Sequence, residues 1–168
     1  MSKNSPIKIK RALISVSDKK NILVLAKSLQ KESVEIISTG GTLKFLEEAG
    51  IKVKDISEFT GSKEMMNGRV KTLHPKIHAG ILHDRQNKLH KNQMSKLKFP
   101  SIDLIIVNFY PFEEILSNTS DQNKIIENID IGGPTMVRAA AKNYKDVTVI
   151  TSDTQYDDCL LYTSPSPR

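Results

Sequence analysis

Short, continuously apolar runs separated by helical patterns constrain this chain more than any other feature. "RALISVS" (Arg11 to Ser17), "VEIIS" (Val34 to Ser38), "IDLIIVNFYPF" (Ile102 to Phe112) and "DVTVITS" (Asp146 to Ser152) lack the polar alternation of half-exposed strands. They read as strands, "RALISVS" as one buried within a parallel sheet and "IDLIIVNFYPF" as the strongest, halted by Pro111. "IKVKDI" (Ile51 to Ile56) reads as a short third strand. Between the first two runs, Asp18 is placed to cap a helix that carries Ile22, Leu25, Ala26 and Leu29 on one face. "TGGT" (Thr39 to Thr42) turns the second run into a helix through Glu47 and Glu48, closed by Gly50. Pro75 opens a helix, a polar helical segment spans Gln86 to Lys98, and "EEILSN" (Glu113 to Asn118) is a short one. In "IDIGGPTMVRAAAKNY" (Ile129 to Tyr144) a loop feeds an Ala-rich helix with Pro134 near its start. Strand and helix alternate, so the fold class is α/β: a doubly wound, mainly parallel sheet with helices on both faces.

The chain of 168 residues fits one domain, without internal repeat or interdomain linker. The basic opening "MSKNSPIKIK" is followed by no apolar stretch of signal-peptide type, and "LIIV" is far too short to span a bilayer. A cytoplasmic location and no membrane partner are therefore expected. The net charge of +6 asks for an anionic partner. Its lysines are scattered, aromatic residues make up 5%, and no nucleic-acid motif is present. A small phosphorylated ligand fits better than nucleic acid.

The last ten residues, "CLLYTSPSPR" (Cys159 to Arg168), resemble nothing before them. They back-translate into a transposase-type sequencing adapter. The expectation is a natural domain over residues 1–158, interrupted there, and an artefactual tail over 159–168 that packs against nothing.

Ligands of doubly wound sheets sit at the carboxyl ends of the strands. "SVSDK", "STGGT" and "NFYPF" all fall there. Gly40 and Gly41 let a ligand approach the backbone, the helix start offers free N–H groups to an anion, and Thr39 and Thr42 add hydroxyls. A plain tight turn with Thr42 as helix cap reads the same residues equally well. Ser17 and Lys19 extend the site on the first loop; the alternative is Asp18 as a cap with Lys19 in solvent. Arg69, Lys71 and Thr72 form an anion clamp or a solvated loop. His74, His78 and His83 suggest a metal, but the central glutamate of HExxH and a completing ligand are missing. No metal is assigned, and the histidines are expected to pack or cap.

"SVSDK", "STGGT", "GRVKTLHPKIHAGIL", "NFYPF", "IDIGGPTMVRAAAKN" and "VTVI", in this order, resemble the N-terminal inosine monophosphate (IMP) cyclohydrolase domain of the bifunctional purine-biosynthesis family. The resemblance runs from about Arg11 to Asp158, and "RVKTLHP" and "IDIGGP" are its most specific blocks. The wider superfamily, with methylglyoxal synthase and the regulatory domain of carbamoyl-phosphate synthetase, shares the fold and a glycine-threonine loop but neither block. The resemblance implies intramolecular closure of formyl-AICAR to IMP with loss of water, without cofactor or metal. It implies a nucleotide and phosphate cradle of Ser17, Lys19, Thr39, Gly40, Gly41 and Thr42, with Arg69, Thr72, Asn108 and Gly132 as further binding positions. Lys71, Tyr110, Asp130 and Lys142 are implied for charge stabilisation and proton traffic. It also implies a homodimer, and a C-terminal AICAR formyltransferase domain in the full-length parent that this chain lacks. The family domain continues beyond Asp158, so its last helical elements are expected to be missing here. A non-catalytic phosphate- or nucleotide-sensing domain of the same superfamily is the alternative.

Overall fold

The structure is a computed structural model that describes residues 8–163. Five parallel strands, β1 (Arg11–Val16), β2 (Glu35–Ser38), β3 (Val53–Asp55), β4 (Leu104–Asn108) and β5 (Thr148–Ile150), form one sheet in the order β3-β2-β1-β4-β5. Leu13 stands in register with Ile37 on one side and Ile105 on the other. Successive strand residues point to opposite faces, so two cores form. Ala12, Ile14, Val16, Ile36, Leu104 and Ile106 pack under α1 (Ile22–Lys31) and α2 (Gly40–Glu48). Leu13, Ile37, Ile105 and Val107 pack under α3 (Ile56–Thr60), α4 (Pro75–Leu82) and α8 (Gly132–Lys142). Both faces of the central strands β1 and β4 are thus covered, as their apolar runs require, while the edge strands β3 and β5 are only partly buried.

Leu25, Ala26 and Leu29 of α1 are buried with Ile22, the face expected from their spacing. The start of α1 differs from expectation. Asp18 does not cap it: its carboxylate accepts from the Lys20 N–H at 2.9 Å within the loop, and Asn21, left-handed at φ 60°, precedes the helix. Asn108 grips the backbone of Asp18 and keeps it out of helical reach. Pro75 opens α4, and α2 ends at Glu48 with Gly50 left-handed behind it. The polar α5 (Lys88–Leu97) leads into β4. Between β4 and α8, α6 (Phe112–Asn118) and α7 (Gln122–Glu127) make an excursion with no buried residue.

The tail differs as well. A capping box formed by Ser152 and Gln155 leads into α9 (Tyr156–Thr163), which runs past Asp158. Tyr156 and Cys159 are buried against α1, and Leu160 packs beside them. The expectation that the tail packs against nothing is therefore corrected for Cys159 and Leu160. Spacings of three and four from Tyr156 place both on its face of the helix. The "SPSPR" ending lies outside the described residues. Among the described residues no helix is long and apolar enough to cross a membrane.

After β3 the chain returns on the opposite face and on the other side of β1. The connections therefore diverge between β1 and β4, and a crevice opens at their carboxyl ends.

Candidate functional site

A cleft of about 630 Å³ occupies that crevice, inside the ordinary range for ligand sites. It collects Ser17 and Lys19 from the β1–α1 loop, Thr39 to Thr42 from the start of α2, and Arg69, Lys71 and Thr72 from the segment before α4. Asn108 and Tyr110 come from the end of β4, and Asp130 and Gly132 from the approach to α8. Lys142 is not brought there. It is exposed in the last turn of α8, and a helix of 11 residues rising about 1.5 Å per residue sets it roughly 15 Å from Gly132. Of the four residues implied for charge stabilisation and proton traffic, Lys71, Tyr110 and Asp130 line the cleft and Lys142 does not. Its neighbour Asn143 instead ties α8 to α4, donating to the carbonyls of Ile81 at 2.8 Å and His83 at 3.1 Å.

The start of α2 is the electropositive centre. Gly40 is left-handed at φ +56°, which a glycine adopts without strain. Lys71 Nζ lies 3.9 Å from the place a Cβ on Gly40 would take, and Lys19 Nζ 3.9 Å from that on Gly41. Two ammonium groups from separate loops thus converge where the helix presents unpaired N–H groups and its partial positive charge. Thr39 precedes the helix in extended conformation, and its hydroxyl makes no capping bond.

Two expected ligand groups have their polar atoms engaged in the scaffold. The Thr42 hydroxyl is buried and bonds the Val16 backbone, so it neither faces a ligand nor caps α2. Asn108 Oδ1 accepts from Ser17 N–H at 2.5 Å and Asp18 N–H at 3.1 Å, while its Nδ2 donates to the Asp18 carbonyl at 2.8 Å. It shapes the loop that carries Lys19.

At the other end of the cleft, Asp130 Oδ1 accepts from the Gly133 N–H at 2.9 Å. A Cβ on Gly132 would overlap Thr72 Oγ1, and one on Gly133 would overlap the Asp130 carboxylate. Gly132 thus lets the approach to α8 touch the segment that carries Thr72, and Gly133 makes room for Asp130 of its own segment. Tyr110 stands at the mouth, 53% exposed.

Both clamp cations carry internal carboxylate partners that the sequence did not reveal. Arg69 pairs with Glu127 at the end of α7, and Lys71 Nζ lies 2.7 Å from Glu64 Oε2. Arg69 is raised from its ordinary pKa by the Glu127 hydrogen bond, and Glu127 is lowered by the same bond.

The histidines pack and cap. His74 Nδ1 accepts from the Lys76 N–H at 3.0 Å, so it caps α4, and its Nε2 stands 3.2 Å from Ser62 Oγ. His83 lies against Ala79 O and Ser101 Oγ. Burial holds the His78 imidazole below its ordinary pKa, partly offset by the Thr72 backbone. Among the described residues no group of three or more potential ligands stands together for a metal.

The profile of a family described as "MGS-like domain" matches residues 21–135. The chain is 58% identical over 149 residues to the bifunctional purine biosynthesis protein PurH of Acetivibrio thermocellus, covering 88% of this chain and 29% of that protein. It is 53% identical over 153 residues to PurH of Oenococcus oeni, covering 90% of this chain and 30% of that protein. It thus spans under a third of the length of these relatives. The crystal structure of ForH superposes with a TM-score of 0.81 at 33% identity, over 95% of this chain and 84% of that one.

Proposed function

The chain belongs to the MGS-like domain family, and from that membership we propose that its cleft closes the second ring of a purine nucleotide, converting formyl-AICAR to IMP. The observation that carries this reading is the convergence of Lys19 and Lys71 on the glycine turn that starts α2. Such a site suits a phosphate, and the cleft beyond it has room for the attached ribose and base. That relatives are named for purine biosynthesis supports a purine nucleotide as the phosphorylated ligand.

In the proposed reaction the carboxamide nitrogen of the substrate attacks its own formyl carbon. As the new C–N bond forms, the attacking nitrogen loses one proton and negative charge develops on the former formyl oxygen. That oxygen takes up this proton and the one given up by the formamide N–H, and leaves as water as the C=N bond of the ring forms. Both reacting groups belong to one molecule, so the enzyme's work is to hold the productive rotamer, stabilise the oxyanion and move protons. Lys19, the Gly40 and Gly41 N–H groups and Thr39 hold the phosphate. Lys71, with three donors, gives one to Glu64 and keeps the others for the substrate. Tyr110 and Asp130 stand beyond it for proton traffic. The step draws on side chains and backbone donors alone.

Calorimetric titration with IMP and with inosine tests this reading. IMP should bind at least about tenfold tighter, since charge-assisted bonds to phosphate contribute about 1.5–3 kcal/mol each. Lys19→Ala should remove most of the difference. Equal affinity for the two ligands contradicts the proposal.

A further inference from the structure

We infer that Glu64 is the positioning residue for Lys71, a role that rests on the cleft's proposed function. Met65 and Val70 form an antiparallel bridge, with the Met65 N–H donating to Val70 O at 3.0 Å and the Val70 N–H to Met65 O at 3.3 Å. The next pair outward in that register is Glu64 and Lys71, directly opposed, where cross-strand charges of opposite sign attract. Lys71 Nζ accordingly lies 2.7 Å from Glu64 Oε2.

The turn that closes this hairpin is costly. Met66, Asn67 and Gly68 are left-handed in succession at φ 54°, 53° and 89°, and each non-glycine residue there costs about 1 kcal/mol or more. Gly68 answers a second need: a Cβ on it would lie 2.8 Å from Lys71 Cε and 3.1 Å from Nζ. The lysine stem therefore crosses the bare glycine, and the carboxylate holds its head. Lys71 is the less exposed member of the pair, at 27% against 57% for Glu64. The ammonium is thus held by the more exposed carboxylate while standing 3.9 Å from the Cβ position of Gly40 at the glycine turn of α2. A long, rotamer-rich side chain is in this way fixed before the substrate arrives.

Two measurements test the inference. The first is independent of turnover: acetylation of the whole chain with acetic anhydride, the rate at each lysine followed by peptide mass spectrometry. Lys71 should be modified several-fold faster in Glu64→Ala than in the wild type, with Glu64→Gln in between, because the amide keeps an acceptor there. An unchanged rate at Lys71, with the fold intact by circular dichroism, overturns the inference. The second is ring closure of formyl-AICAR. Glu64→Ala should lower kcat by about tenfold, the scale of one lost orienting contact, with KM within about threefold. Glu64→Gln should recover part of that loss, and Glu64→Ala should add nothing in a Lys71→Ala background. A tenfold loss that persists without Lys71 would make Glu64 merely structural. A wild-type chain without turnover would defeat the proposed function, while the acetylation rates would still decide the role of Glu64.

Discussion

The Thr42 hydroxyl accepts from the Val16 N–H at 3.1 Å and donates to the Val16 carbonyl at 2.9 Å, so one side chain of α2 completes the backbone bonding at the end of β1. This fixes where the strand stops and the ligand loop begins. Thr42→Val keeps the shape but strands a buried donor and acceptor, and should cost about 1–3 kcal/mol. Thr42→Ser should cost clearly less. Urea unfolding midpoints of the two variants check this.

Gly133 and Gly132 are equally tight points at the far end of the cleft. A Cβ on Gly133 overlaps the Asp130 carboxylate and stands 3.2 Å from Val107 Cγ1. Gly133→Ala should lose about 1–3 kcal/mol from overpacking, together with any activity that needs Asp130 in place. Gly61→Ala serves as the contrast. Its Cβ meets open space, so only the left-handed φ of 78° is penalised, at about 1–2 kcal/mol. Unfolding midpoints should fall in both, and ligand affinity in Gly133→Ala alone.

Alkaline pH should loosen α9. Burial pushes the Cys159 thiol from 9.0 up to about 11 and the Tyr156 phenol from 10.0 up to about 12. The unfolded chain then releases these protons before the folded one does, and the folded state loses ground as pH rises. The stability these groups contribute is whole below pH 9 and drains away between about 9 and 12. Thermal midpoints measured across that window should fall. Tyr156→Phe should flatten the upper part of the fall, and an unaltered slope would contradict the assignment.

Much of the fold was legible because periodicity is a property of the chain itself. Ile22, Leu25, Ala26 and Leu29 declare their face by spacing, and Pro75 and Gly50 mark helix ends through backbone geometry. The cleft was legible as far as strand ends announce it. What failed was the step from neighbourhood in sequence to neighbourhood in space. Lys142 shares a motif with Gly132, but an intervening helix carries it away. Polar residues near a cleft read as ligand groups until their partners are known: Thr42 and Asn108 serve the backbone instead. Glu64 and Glu127 left no signal of their partners. The first depends on a turn that Asn67-Gly68 does announce, but whose left-handed Met66 sets which residues face each other across it, and the second on a contact between residues 69 and 127 across the fold.

The most direct measurement is ring closure itself: formyl-AICAR supplied to the wild-type chain and to Lys71→Ala, with the appearance of IMP followed over time. The account predicts turnover by the wild type and a loss of roughly a hundredfold or more in Lys71→Ala, the usual effect of removing a preorganised charge from a developing oxyanion. IMP should still bind that variant within about tenfold, since the Thr39 to Gly41 cradle and Lys19 remain. Near-normal turnover without Lys71, or no turnover by a folded wild-type chain that binds IMP, would contradict the account.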